Sequence, residues 1–375
     1  MEERMNTGSA PAWAVKELDR VCAVLEKEME RYGTKFPSAC AEGGVYSVGE
    51  NDDWTNGFWT AMLWMAYQYT GKEKFRALAE ENVKSFEKRL EDHIVLEHHD
   101  IGFLYSLSVW AGYRITGDEH MKSIVLRAAD VLADRYQEKG GFIQAWGKKG
   151  APGEYRLIID SLMNLPLLYR ASELSGKPVY REMAESHYQK VIQNIVREDC
   201  STYHTFYFNP ETGLPDHGAT HQGFSDQSCW ARGQAWAILG MPLHARISGD
   251  GMSEEEKELY GKIVDYFDSH LPSDGMPCWD LIFGEGSDQP RDSSALAIAA
   301  CGMLEMKENE KACGMLKTLI SQASTAAEPD SEGFLLHGVY AYAEGKGVDE
   351  PDLWGDYFYM EALCRVCDPD WTPYW

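Results

Sequence analysis

The stretch "HHDIGFLYSLSVWAGYRITGDEHMKSIVLRAADVLADRYQ", residues 98–137, contains one complete structural unit. Residues 101–116 are small, apolar or aromatic on nearly every side, the pattern of a buried helix. Gly117 ends that run, because glycine readily takes the left-handed conformation that closes a helix. The charged pair Asp118–Glu119 then suits the first turn of a second helix. From 119 to 137 the apolar residues form only one stripe, so this second helix lies outside the first.

The unit recurs. "YTGKEKF" around Gly71, "LSGKPVY" around Gly176 and "ISGDGMS" around Gly249 repeat the turn. Apolar helices are expected at 57–70, 101–116, 157–175, 230–248, 292–306 and 354–366. Amphipathic partners are expected at 73–91, 119–137, 178–196, 253–271 and 308–324. The helix expected over 12–31 has no apolar helix before it, and 354–366 has no partner after it. Pairing these two gives six inner and six outer helices, an all-α (α/α)6 barrel. The uneven spacing of the glycines places insertions in the outer-to-inner loops, with an open α-solenoid as the alternative. No Pro/Gly/Ser-rich linker interrupts the chain, so a single domain over 1–375 is expected.

A net charge of −25 argues against nucleic acid or an anionic membrane surface as partner. No apolar run is long enough to span a bilayer. "MEERMNTGSAPAW" lacks the basic and apolar regions of a secretory signal, and the nine cysteines are scattered and odd in number. A cytoplasmic protein is expected. Cys364 and Cys367 in "CRVC" have no second ligand pair nearby, so zinc is not expected there.

In such a barrel the inner helices run the same way and begin on one face. Their starts read "NDDWTNGFW", "HHDIGF", "IIDSLM", "SCWARGQAW", "PRDSSA" and "LWGDYFY". Each aspartate alone suits an N-cap. Six such starts on one rim, with tryptophans among them, suit a sugar-binding surface. Asp100 and Asp160 open adjacent inner helices and form the leading pair for carboxylate catalysis. Asp160, between Ile159 and Leu162, is expected to be the acid, because desolvation and a nearby Asp100 both favour its neutral form. His98 and His99 diverge on adjacent positions, and no metal-binding spacing occurs, so no metal is expected. His204 and His221 sit in the polar loop before an inner helix. Arg232, between Trp230 and Trp236, is read equally as a salt bridge to a rim aspartate and as a fork for a ligand carboxylate.

At these residues the chain resembles the unsaturated glucuronyl hydrolases, glycoside hydrolase family 88. The likeness runs in order through "NDDWTNGFW", "HHDIGFLYSLS", "GFIQAWG", "IIDSLMNLPLL", "STYHTFYF", "THQG", "WARGQAW", "RDSSA" and "WGDYFYMEAL". It implies an (α/α)6 barrel without a cofactor. The implied activity removes a Δ4,5-unsaturated glucuronate from glycosaminoglycan-derived oligosaccharides, mainly disaccharides, by hydrating a C4=C5 vinyl ether. By resemblance Asp160 is the acid/base and Asp100 its companion. Trp54, His99, Trp146, His204, His221, Gln222, Trp230, Arg232 and Trp236 match the pocket lining. The expected partner is a small unsaturated uronate-containing oligosaccharide, acted on by a monomer or homodimer. Some family members that favour sulfated units carry Ser-x-x-Ser-x-Lys before the last inner helix. Here "AYAEGK" offers Ala341, Glu344 and only Lys346, which favours unsulfated substrates. The alternatives are an unsaturated rhamnogalacturonyl hydrolase, or a sugar epimerase or non-catalytic sugar binder on the same barrel.

Overall fold

In the computed structural model the four turn glycines Gly71, Gly117, Gly176 and Gly249 close their helices at φ of 72°, 72°, 69° and 79°. A side chain would be strained there, and glycine is not. The structure describes residues 4–328 and 330–375; residues 1–3 and 329 of the expected domain lie outside the described residues.

The inner helices are Asn56–Thr70, a composite over 101–116, Leu165–Ser175, Ala231–Ser248, Ser293–Glu305 and Leu353–Cys367. Each packs on the next, and the last packs on the first, so the ring is closed and an open solenoid is excluded. Ala12–Tyr32, Glu73–Glu91, Glu119–Asp134, Pro178–Ile195, Glu254–Ser269 and Asn309–Gln322 surround them. Ala12–Tyr32 packs against the last inner helix and completes the outer ring. Tyr359 fastens this closure by donating to Glu17 at 2.8 Å. The buried apolar side chains form one continuous cluster. None of the described helices is long and apolar enough to cross a membrane.

Two boundaries differ by more than two residues from those read in the sequence. The third inner helix was expected from 157, but Arg156–Ile158 is a strand paired with Thr205–Phe208, and Ile159–Met163 is a 3-10 turn. The run Leu157–Ile158–Ile159 fits a strand better than a helix start. The third outer helix ends at Asp134 rather than at 137, because Tyr136–Gln137 pairs with Phe142–Ile143.

The sequence periodicity also did not expose the other short ribbons. Phe36–Glu42 pairs with Val45–Gly49, Thr205–Phe208 also pairs with Pro215–Ala219, and Gly338–Ala341 pairs with Lys346–Glu350. Every one lies in a loop entering an inner helix, so the ribbons wall the face on which those helices begin. At the other end, the C-terminal Trp375 is fully buried, parallel to Phe358 at 5.8 Å and bonded to Glu361 at 2.8 Å. The barrel is thereby stoppered at its far end and open on the ribbon face.

Candidate active site

The aspartates at the inner-helix starts divide by what their carboxylates do. Asp292 caps its helix by accepting the Ser294 N–H at 3.1 Å, and Asp352 accepts that of Gly355 at 2.7 Å. Asp53 accepts the Thr55 N–H at 3.2 Å. Asp100 and Asp160 make no such cap. Both turn instead toward one imidazole: His99 Nε2 lies 3.3 Å from Asp100 Oδ1 and 3.5 Å from Asp160 Oδ1. The His99 backbone is fixed by its N–H on Ala145 at 2.7 Å. His98 flanks Asp100 from outside the cavity, donating from Nε2 to the Val95 carbonyl at 2.9 Å, with Nδ1 accepting the Asp100 N–H at 3.1 Å and lying 3.3 Å from Asp100 Oδ2. The sequence pair therefore splits into one supporting histidine and one facing the cavity.

The three groups sit in a low-dielectric setting. Burial raises the Asp160 carboxyl well above its ordinary range, and the Asp100 charge adds to this; Arg232 opposes it more weakly. For Asp100, burial pushes upward, but His99, His98 and Asn164 together outweigh it and hold the group below the usual range. Burial pushes His99 down to about 4, against the pull of Asp100. The shifts thus favour the protonated form of Asp160, the neutral form of His99 and the ionised form of Asp100. Two carboxyl groups with opposite shifts divide naturally into an acid and an anion. Among the described residues these three form the one group with metal-ligand geometry, their donor atoms within 4.8 Å of one another. His99 Nδ1 has no partner, whereas a metal-bound imidazole ordinarily donates its other N–H to a carboxylate or carbonyl.

A cavity of about 130 Å³ opens above them, lined by Trp54, His99, Asp100, Trp146, Asp160, His204, Gln222, Trp230, Arg232, Trp236 and Tyr340. Sites for drug-sized ligands run to roughly 300–1,000 Å³, so this space suits a single sugar ring. His204 Nδ1 accepts the N–H groups of His221 and Gln222 at 2.9 and 3.2 Å. Burial and neighbouring cations keep His204 neutral. Its proton is therefore on Nε2, as a fixed donor. Arg232 is sandwiched between Trp230 and Trp354 at 4.4 and 4.6 Å. Its guanidinium binds Asp292 at 3.3 Å, Gln222 at 3.1 Å and the Tyr340 carbonyl at 2.9 Å. The salt bridge to a rim aspartate is formed, and Arg232 also lines the cavity.

Two candidates lie off the cavity wall. His221 is exposed, 3.3 Å from the Tyr207 hydroxyl, with its ring 5.5 Å from that of Trp146. Lys346 is exposed with Nζ 4.1 Å from the centre of the Tyr340 ring. Tyr340 itself was missed in the sequence. It accepts the Trp54 indole N–H at 2.9 Å and closes one side of the pocket. It comes from a ribbon, and ribbons left no helical period to place them.

Known proteins resemble this chain in sequence and in fold. The Glycosyl Hydrolase Family 88 model matches residues 28–258. The unsaturated chondroitin disaccharide hydrolase of Streptococcus pneumoniae (strain ATCC BAA-255 / R6) is 45% identical over 370 residues, covering 96% of this chain and 92% of that protein. The crystal structure of the unsaturated glucuronyl hydrolase of Streptococcus agalactiae superposes with a TM-score of 0.91 at 44% identity, covering 96% of this chain and 94% of that one. An Asp-to-Asn mutant of the enzyme from that organism, complexed with dGlcA-GalNAc6S, superposes at 0.85 with 38% identity and full coverage of both chains.

Proposed function

Because the chain belongs to Glycosyl Hydrolase Family 88, we propose that Asp160 is the proton donor in its reaction and Asp100 the anion that supports it. The protein is a glycoside hydrolase that removes unsaturated glucuronate from glycosaminoglycan-derived oligosaccharides. An epimerase, a non-catalytic binder and a rhamnogalacturonyl enzyme give way to this reading. The observation that carries the assignment of roles is a pair of carboxyl groups flanking one imidazole and lining one small cavity, with burial and charge shifting them in opposite directions.

The chemistry follows from the substrate's vinyl ether. Asp160 delivers its proton to C4, and positive charge develops at C5 and the ring oxygen. The Asp100 carboxylate stabilises that charge, in a site dry enough for the interaction to count. Water adds at C5 and gives a proton back to Asp160. The resulting hemiketal opens, and the former glycosidic carbon expels the aglycone. His204 Nε2–H and the tryptophans hold the ring in register. A panel of unsaturated disaccharides, followed by loss of ultraviolet absorbance, tests the reading. Rapid loss with a glucuronate at the non-reducing end is expected, and no loss with any of them would overturn it.

A further inference from the structure

We propose that Phe224, Phe283 and Tyr342 form a shelf outside the pocket mouth that carries the sugar rings beyond it, so that unsaturated oligosaccharides longer than a disaccharide bind more tightly. The proposal rests on the reaction assigned above.

The cavity takes one ring, so the rest of a substrate must lie on the outer face. Three loops meet there. Phe224 is 56% exposed and Ile282 57% exposed, unusual values for side chains of this size; Tyr342 is 36% exposed. Phe224 and Phe283 meet edge to face at 5.1 Å, both beside Trp279. Tyr342 stacks on the same Trp279 at 4.3 Å and 15°. The rings thus form one patch around a buried indole.

The patch is also joined to the pocket wall. Trp230, which lines the cavity, pairs with Asp280, and the Ala231 N–H bonds to the Trp279 carbonyl at 3.1 Å. Tyr342 follows Tyr340, another lining residue, by two positions. The exposed loops are rigid as well. Fully buried Asp280 accepts the N–H of Phe224 at 2.9 Å, the hydroxyl of Ser228 at 2.7 Å and the N–H of Ile282 at 3.1 Å. Aromatic rings held open on a fixed backbone are preorganised for a flat partner. A sugar ring offers them an apolar C–H face, which suits stacking in a protein whose net charge of −25 repels uronates.

Initial rates on the unsaturated disaccharide and tetrasaccharide of hyaluronan decide the matter, for wild type, Phe224→Ala and Tyr342→Ala. KM for the tetrasaccharide should be about two- to tenfold lower in wild type, the size of one aromatic contact. Either substitution should shrink that ratio, by raising KM on the tetrasaccharide more than on the disaccharide. High salt should leave the ratio in place, because stacking is not screened. Equal KM values in wild type, equal losses on both lengths in both variants, or a ratio that collapses in salt would overturn the shelf. If wild type turned over neither substrate, the assigned reaction would be wrong. The shelf would then be judged by calorimetric titration of both sugars, and equal affinities would overturn it.

Discussion

At the scale of single residues, the surroundings of Asp160 and Asp100 shift them in opposite directions, and the roles proposed for them follow from that. Asp160→Asn should reduce kcat to below a few per cent of wild type while leaving the fold intact, because the amide keeps the shape but donates no catalytic proton. Circular dichroism and single-turnover assays check both halves. The pH profile follows from the same shifts. A required acid is active below its pKa, so kcat/KM should fall as pH rises through the elevated Asp160 value. A required anion is active above its pKa, so the acid limb should appear only below the ordinary carboxylate range, where Asp100 takes up a proton. Asp160→Asn, as far as residual activity allows, should lack the alkaline limb. Both aspartates were legible in the sequence because an apolar run around Asp160 and a shared rim are sequence properties. That Asp100 and Asp160 would not cap was not legible: Asp292 and Asp352 sit at equivalent starts and do cap.

At the scale of elements, Arg232 pins the start of its helix to two neighbours, Asp292 and the ribbon carbonyl of Tyr340. Both Arg232 and Asp292 are almost wholly buried. Arg232→Ala would leave Asp292 without its counter-charge, at a cost of about 3–5 kcal/mol. Thermal unfolding should show the loss directly, and an unchanged Tm would return Arg232 to the role of a ligand fork. The ribbon Gly338–Ala341 with Lys346–Glu350 governs the sulfate question. Ala341 is only 2% exposed, so the exposed Glu344 is the stronger determinant of the two replaced serines. We expect kcat/KM to favour unsulfated over sulfated disaccharides, and Ala341→Ser with Glu344→Ser to raise the sulfated value by up to about fivefold, the reach of one exposed charge contact. An unchanged ratio would show that this turn does not meet the aglycone. Helix positions were legible from 3.6-residue periodicity, whereas two- to seven-residue ribbons were too short to give a period. Tyr340 stayed hidden for that reason, whereas Phe224 and Phe283 lie in loops outside any ribbon.

At the scale of the molecule, ring closure gathers carboxyls that are far apart in sequence. Glu28 on the first outer helix accepts the Gly333 N–H at 2.7 Å, and Asp356 on the last inner helix accepts that of Phe334 at 2.6 Å. Burial, with their mutual repulsion, raises Glu28 to about 8, and burial raises Asp356 to about 7. An acid raised by folding holds its proton in the native state and loses it on unfolding. Its contribution to stability is therefore full below the unfolded value near 4 and disappears as pH rises toward 7–8. Tm should fall across that interval, and Glu28→Gln should flatten the slope. A Tm that rises with pH over the same range would show that these groups are ionised in the fold. The barrel was legible because six hairpins repeat one turn, but the pairing of Glu28 with Asp356 depends on closure, which brings residues 28, 333 and 356 together.

The central claim is that a protonated carboxyl adds its proton to carbon. Reaction in heavy water containing oxygen-18 tests it in one experiment, with the released keto-sugar read by NMR and mass spectrometry. Deuterium at C4 and oxygen-18 entering at C5 are expected. Oxygen-18 entering at C1, with no deuterium at C4, would mean direct glycosidic attack and would contradict the account.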